Sequence, residues 1–328
     1  MFESIKFQNF KVLRDTTLPL SRFTLIVGPN GSGKTSALTA FFAFQNPGLL
    51  SQNRTAGVSD QQTVRLLGDW KSKIVGVANA TVITEWGKNI GGRGPMFQGY
   101  VEEPQLALQR ARFYSLDATA IAASVALQPQ MELSQSGANL AGVLDRLRDQ
   151  HPERFDALNE QLGRWIPEFD RILFETPQTG HRSIALRTRE GGHLIRANNL
   201  SQGTLIALAL LTIAYLPEPP SIVCLEEPDH GLHPRLLRDV RDALYRLAYP
   251  DGSQEKREPV QVIATTHNPY FLDLFREHPD EIVIAEKVGL ESKFSRLSDR
   301  QDLEEILGDA PLSEVWYSGV LGGVPVGT

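Results

Sequence analysis

Only one cysteine, Cys224, occurs in the 328 residues, so no internal disulfide is available, as suits a reducing cytoplasm. Its neighbours Ile222, Val223 and Leu225 are apolar, which predicts a thiol buried in a strand and not a nucleophile. Long apolar runs are also missing. The longest, from Leu205 to Leu216, is interrupted by Thr212 and ended by Pro217, whereas a bilayer crossing needs about twenty apolar residues. The opening Met1-Phe2-Glu3-Ser4-Ile5-Lys6 lacks the basic start and apolar stretch of a signal peptide. A soluble, cytoplasmic protein with no membrane partner is expected. A basic excess is absent too: the formal net charge is −6, where a chain that clamps nucleic acid by itself carries surplus positive charge. Any DNA contact therefore calls for a local patch or a partner. Neither a sustained heptad pattern nor an internal repeat occurs, which excludes a long coiled-coil arm and a solenoid.

Apolar residues make up 41% and charged residues 22%, enough for a sizeable folded core. Within it the most informative stretch is Gly28-Pro29-Asn30-Gly31-Ser32-Gly33-Lys34-Thr35-Ser36. It follows the apolar run Phe23 to Val27 and precedes Ala37 to Phe42, so it reads as strand, glycine-rich turn and helix with the spacing G-x-x-x-x-G-K-T. Tight turns at the glycines point successive N–H groups of Asn30, Gly31, Ser32 and Gly33 into one hollow. The helix starting near Gly33 adds the positive end of its dipole there. Lys34 is expected to reach the β- and γ-phosphates of a nucleoside triphosphate, Thr35 to ligate Mg²⁺, and Ser36 to complete the loop.

Around this loop the chain reads as short strands at Ser4 to Phe7, Thr16 to Leu20 and Phe23 to Val27. Phe7 or Phe10 is placed in sheet core, with adenine stacking as the rival role. Residues 44–70 are polar and read as a surface loop. A strand is expected at Thr81 to Trp86, followed by a hairpin turn at Gly91-Gly92-Arg93-Gly94. From Ala138 to Phe169 the spacing turns helical, with Leu140, Val143, Leu144 and Leu147 on one face, then Phe155, Leu158 and Leu162. Two strands, Ile184 to Arg187 and His193 to Arg196, flank the hairpin signal Gly191-Gly192.

Three more motifs follow. Ser201, in Leu200-Ser201-Gln202-Gly203-Thr204, is a natural cap for a strongly apolar helix. The strand Ser221 to Leu225 ends in Glu226-Glu227-Pro228. A carboxylate there can hold Mg²⁺ through water, and the next can orient or deprotonate an attacking water. His230 and His233 follow closely, but their spacing is short for zinc and no cysteine partner exists. Last, the apolar strand Val260 to Thr266 ends in His267-Asn268-Pro269.

In this order and spacing the four motifs resemble those of ABC-type ATPases, over nearly the whole chain. More narrowly, Asn9-Phe10-Lys11, Glu226-Glu227-Pro228 with Leu232-His233-Pro234, Thr265 to Pro269, Tyr114 to Asp117 and Trp316 to Gly323 are similar to the RecF/SMC-related, OLD-like branch. The resemblance implies an α/β fold with a mainly parallel core sheet, an amino-terminal antiparallel β subdomain and a helical insertion. One ATPase domain over 1–328 is expected, with 44–198 inserted between phosphate loop and signature. It implies catalytic roles for Lys34, Glu227 as general base and His267 at the γ-phosphate, and Mg²⁺ held by Thr35 and Glu226. Ser201 and Gly203 would address the γ-phosphate held by another protomer. The family usually has Asp-Glu where this chain has Glu226-Glu227, and the longer side chain still reaches a hydrated ion. The implied activity is an ATP-hydrolysing switch that dimerises around ATP and acts with a separate nuclease or toxin, or on DNA, in phage defence or repair. A transporter's nucleotide-binding subunit and a non-hydrolytic scaffold are the rivals.

Overall fold

Spaced apolar residues at the amino terminus build β1 (Phe2–Phe10) and β2 (Leu13–Pro19), and a continuous, wholly buried run builds β3 (Phe23–Val27). The computed structural model describes residues 1–52, 55, 63–72, 79–87, 91–250, 257–308 and 310–324. Its chain divides into two compact units. The first comprises Met1–Phe113, Pro220–Glu226 and Pro259–Thr328, and the second Tyr114–Pro219 and Glu227–Glu258. Of the segment 44–198, residues as far as Phe113 thus fall in the first unit and the rest in the second.

In the first unit, β1 pairs antiparallel with β2 on one side and with β4 (Val64–Trp70) on the other. The sheet continues through β5 (Ala80–Gly87) and β6 (Gly91–Gln98), also antiparallel. Two expectations are corrected here. The stretch 44–70 is not a loop throughout: the first helix runs on to Gln45, a short helix spans Leu49–Gln52, and β4 is a strand. Val64, Leu66, Gly68 and Trp70 alternate inward, a period of two that the polar residues before them hide. The glycines at 91–94 do not form a turn but open β6, with Gly92 opposite Trp86. Residues 88–90, which join β5 to β6, lie outside the described residues.

A six-stranded sheet supplies the other layer of this unit. Its order is β15 (Glu291–Arg296), β14 (Ile282–Val288), β3, β13 (Gln261–Thr266), β12 (Ile222–Leu225) and β7 (Ala111–Tyr114). Strands β12, β13, β3 and β14 run parallel, and β14 turns back antiparallel into β15. This is the mainly parallel core expected of the α/β class, and near-continuous apolar runs are what strands covered on both faces require. The helix Lys34–Gln45 buries Ala37, Leu38, Ala40, Phe41, Ala43 and Phe44. Phe2 meets Phe41 edge-on at 5.7 Å, Phe44 at 6.0 Å and Trp70 at 5.1 Å, an aromatic cluster that joins sheet and helix. Phe7 and Phe10 are wholly buried and belong to this core. Cys224 is buried as well, and desolvation pushes its thiol far above the ordinary range.

The second unit is helical around Gln202–Tyr215, a helix buried at every residue from Thr204 to Tyr215. Helices Pro152–Trp165 and Leu236–Ala248 pack on it, and Leu140–Gln150 packs on the former. A small sheet joins β8 (Val125–Ala126), β9 (Phe169–Glu175), β10 (His181–Thr188) and β11 (Leu194–Arg196). The hairpin over Gly191-Gly192 is the β10–β11 pair, with Arg187 opposite Leu194. Among the described residues no helix is long and apolar enough to cross a membrane.

One buried polar side chain ties the first strand to the parallel sheet. The Gln261 amide donates to the carbonyls of Phe2 at 2.7 Å and Ser21 at 3.0 Å, while its oxygen accepts the Phe2 N–H at 2.9 Å. Removing it strands a buried donor and acceptor, each costing about 1–3 kcal/mol. Gln261→Leu is therefore expected to lower unfolding stability by about 3 kcal/mol, read from the urea midpoint. A midpoint equal to that of the unmodified chain would refute the tie.

Candidate functional site

Register places the site before any side chain is considered. Val27, the last residue of β3, stands opposite Thr266 of β13 and Ile284 of β14. β3 and β13 therefore end in one row beside β14, which runs on to Val288, and Gly28, His267 and Ala285 are the next residues along each. The carboxyl edge of parallel strands is where α/β sheets receive ligands, because the backbone leaves the sheet there and side chains converge.

Gly28 is required by close approach. A Cβ at this position would lie 2.2 Å from the Ala285 carbonyl oxygen, so no larger residue permits the loop to seat on β14. Gly33 has φ of 95°, and a Cβ there would lie 2.8 Å from Leu13 Cδ2. Lys34 is nearly buried, and its Nζ donates to the carbonyls of Gly28 at 2.6 Å and Pro29 at 3.0 Å. The ammonium is thus held inside the curl of the loop, where its charge is weakly screened. Asn30 and Gly31 are exposed at the rim, and Ser36 is half-buried in the first turn of the helix.

Glu226, immediately after β12, accepts a hydrogen bond from the Thr35 hydroxyl. The two predicted metal residues are therefore together. Lys11, in the β1–β2 connection, donates to Thr39 Oγ1 at 3.3 Å, one turn along the same helix. Burial lowers its pKa from lysine's ordinary value, and the Glu226 carboxylate opposes that shift. Asn9 and Lys11 both have positive φ, 58° and 53°. Sequence reading noted Asn9-Phe10-Lys11 as a phrase and gave Lys11 no role. Its position beside Glu226 follows from tertiary pairing, and no local signal reveals it.

His267 is exposed, and local bonds shape the turn that carries it. The Asn268 N–H donates to Thr266 Oγ1 at 2.9 Å, and Asn268 Oδ1 accepts the Tyr270 N–H at 3.0 Å. His267 shares a cleft of about 820 Å³ with Pro29, Asn30, Lys287, Trp316 and Tyr317. No carboxylate stands among the described residues lining it.

Ser201, Gly203 and Glu227 belong to the second unit. Ser201 Oγ caps the helix Gln202–Tyr215, accepting the Thr204 N–H at 3.1 Å. A Cβ on Gly203 would lie 2.8 Å from the Gly231 carbonyl, so this turn packs directly against the segment after the paired carboxylates. Glu227 has φ of 44°, an uncommon conformation for a non-glycine residue. Its carbonyl accepts the His230 N–H at 2.9 Å, closing a tight turn. Among the described residues no cluster of three metal-ligating side chains forms, and His233 Nδ1 accepts the Arg235 N–H at 3.2 Å.

Two features fit a triphosphate with its cation. Ser32 Oγ is buried in the loop with no partner among the described residues, a donor left for an anion. Thr35 and Glu226 bring two hard oxygens together, the donor type that Mg²⁺ takes.

Family comparison addresses the same regions. The model described as "AAA domain, putative AbiEii toxin, Type IV TA system" matches residues 103–273, more than half of the chain. A second, described as "AAA ATPase domain", matches residues 1–83. No curated protein matches the chain. Among solved structures, that of the recombination mediator protein RecF-ATPrS in the RecFOR pathway is similar with a TM-score of 0.48 at 11% identity. The match covers 90% of this chain and 98% of that one. This chain belongs to the AAA-domain family so described, and it is a P-loop ATPase.

Proposed function

We propose that this ATPase is a switch that closes as a dimer around ATP and, through that closure, controls a separate effector. The loop Asn30 to Ser36 would hold the phosphates, with Lys34 neutralising their charge. Mg²⁺, held by Thr35 and Glu226, would supply further positive charge at the phosphate oxygens. Glu227 would accept a proton from the attacking water, and His267 would donate to the terminal phosphate oxygen. Ser201 and Gly203 of a second copy, at a helix amino terminus, would complete the anion site. Each site would then work only when two molecules meet.

The observation that carries the dimer is the apolar rim around the His267 cleft. Tyr317 is 77% exposed, Leu290 72%, Tyr270 65% and Val288 53%. Tyr317 and Gly289 line the cleft, Val288 and Leu290 flank Gly289, and the helix Pro269–Asp273 that bears Tyr270 packs on the helix Leu312–Tyr317. An exposed apolar group of this kind, set beside a charged loop, supports a surface that another protein covers. The family's description, with its toxin and type IV toxin–antitoxin system, supports an effector of the toxin kind; a nuclease effector and a role in phage defence are the further parts of the proposal. DNA is the second partner proposed, and turnover with and without it tests that part.

Lys34→Ala is expected to weaken ATP binding at least tenfold, through loss of a charge-assisted contact. Glu227→Gln should bind ATP, lose turnover and accumulate as a dimer, measured by light scattering on a sizing column. Wild-type turnover by Glu227→Gln would remove the general base, and a monomer at saturating ATP would remove the switch. The backbone at Glu227 gives a separate check. Glu227→Gly should be about 1 kcal/mol more stable than Glu227→Ala, because only glycine adopts this φ without strain. Equal thermal midpoints for the two variants would show that the turn carries no such strain.

A further inference from the structure

The triphosphate reading accounts for Lys34 and leaves a second cation at the same edge of the sheet without a role. Lys287 lies near the end of β14, three residues beyond Ile284, which stands opposite the last residue of β3. It lines the cleft that Asn30 of the phosphate loop and His267 also line. Its cross-strand neighbour is Ser292, an uncharged residue. Among the described residues Lys287 makes no ion pair, and the lining of its cleft holds no carboxylate. The neighbouring carboxylate, Glu286, acts instead on Arg300. An amide, an imidazole and an ammonium thus line one hollow at the carboxyl edge of parallel strands, a set that can donate to an anion, with the ammonium supplying the charge.

We propose that Lys287 is a nucleotide-discriminating residue, reaching the terminal phosphate of ATP from the β14–β15 hairpin and so separating ATP from ADP. This rests on reading residues 28–35 as the triphosphate loop. The long flexible stem of lysine suits a contact made only when the outermost phosphate is present, since its ammonium is solvated otherwise. Lys34, held against the Gly28 and Pro29 carbonyls, lies deeper and meets either nucleotide. Selectivity for the triphosphate would then come from the outer cation and affinity from the inner one.

The test is calorimetric titration of the purified full chain with a non-hydrolysable ATP analogue and with ADP. Lys287→Ala should weaken the analogue about tenfold, the loss of one charge-assisted contact, and ADP less than twofold. Lys287→Arg should restore most of the preference, and raising salt should shrink it in the wild type. Lys287 is exposed on a hairpin, so the variant's thermal midpoint should match the parent's. Equal weakening of both ligands, or no change in either, overturns the proposal. Lys34→Ala separates the two readings: if it loses both ligands while Lys287→Ala is silent, only the role of Lys287 fails. If the wild type binds neither nucleotide, the phosphate loop itself is misread and this inference falls with it.

Discussion

Contact between Gly28 and the Ala285 carbonyl is the constraint on which the first unit's chemistry depends. The phosphate loop can curl only because β3 ends flush against β14 at a point where even a methyl group has no room. β14 is gripped from beyond the loop as well. A Cβ on Gly323 would lie 2.8 Å from Ile284 Cγ2, and the Gly323 carbonyl accepts the Trp316 indole N–H at 3.2 Å. The strand that seats the loop is therefore held by the segment that ends in Trp316 and Gly323, which also lines the His267 cleft. Close packing of this kind transmits small displacements, because a filled interior cannot absorb them.

The second unit uses the same device. Gly203, at the first turn of a helix buried from Thr204 onward, lies against the Gly231 carbonyl, so the turn capped by Ser201 and the turn that follows Glu227 are one packed object. Glu227 itself holds a left-handed backbone. Strain of about 1–2 kcal/mol in such a residue persists only where its surroundings dictate it. Here the His230 N–H bonded to its carbonyl and the packing of Gly203 on Gly231 in the same turn do so. The boundary between the first unit and the second falls between Glu226 and Glu227.

Much of this was legible in local patterns. The loop at 28–36 announced strand, turn and helix through spacing alone, and the Ser201 cap followed from one hydroxyl ahead of an apolar run. Strands at 222–225 and 261–266 were evident from apolar runs bounded by turn residues. Readings failed where composition outweighed period. Strand β4 lay behind a polar stretch, and Gly91 to Gly94 looked like a turn because glycine is commoner there than in a strand. Gln261 gave no sign of its role, since an amide that stands in for backbone partners is recognisable only once those partners are near.

Short stretches of chain set the phosphate loop and its flanking elements, because each depends on backbone geometry over fewer than about ten residues. Folding alone brings Thr35 to Glu226, sets Lys11 beside that carboxylate, and puts His267 and Lys287 in one cleft with Asn30. Those pairings depend on strand order and register, and a parallel sheet joins strands distant along the chain. No local pattern can encode which of them will be neighbours.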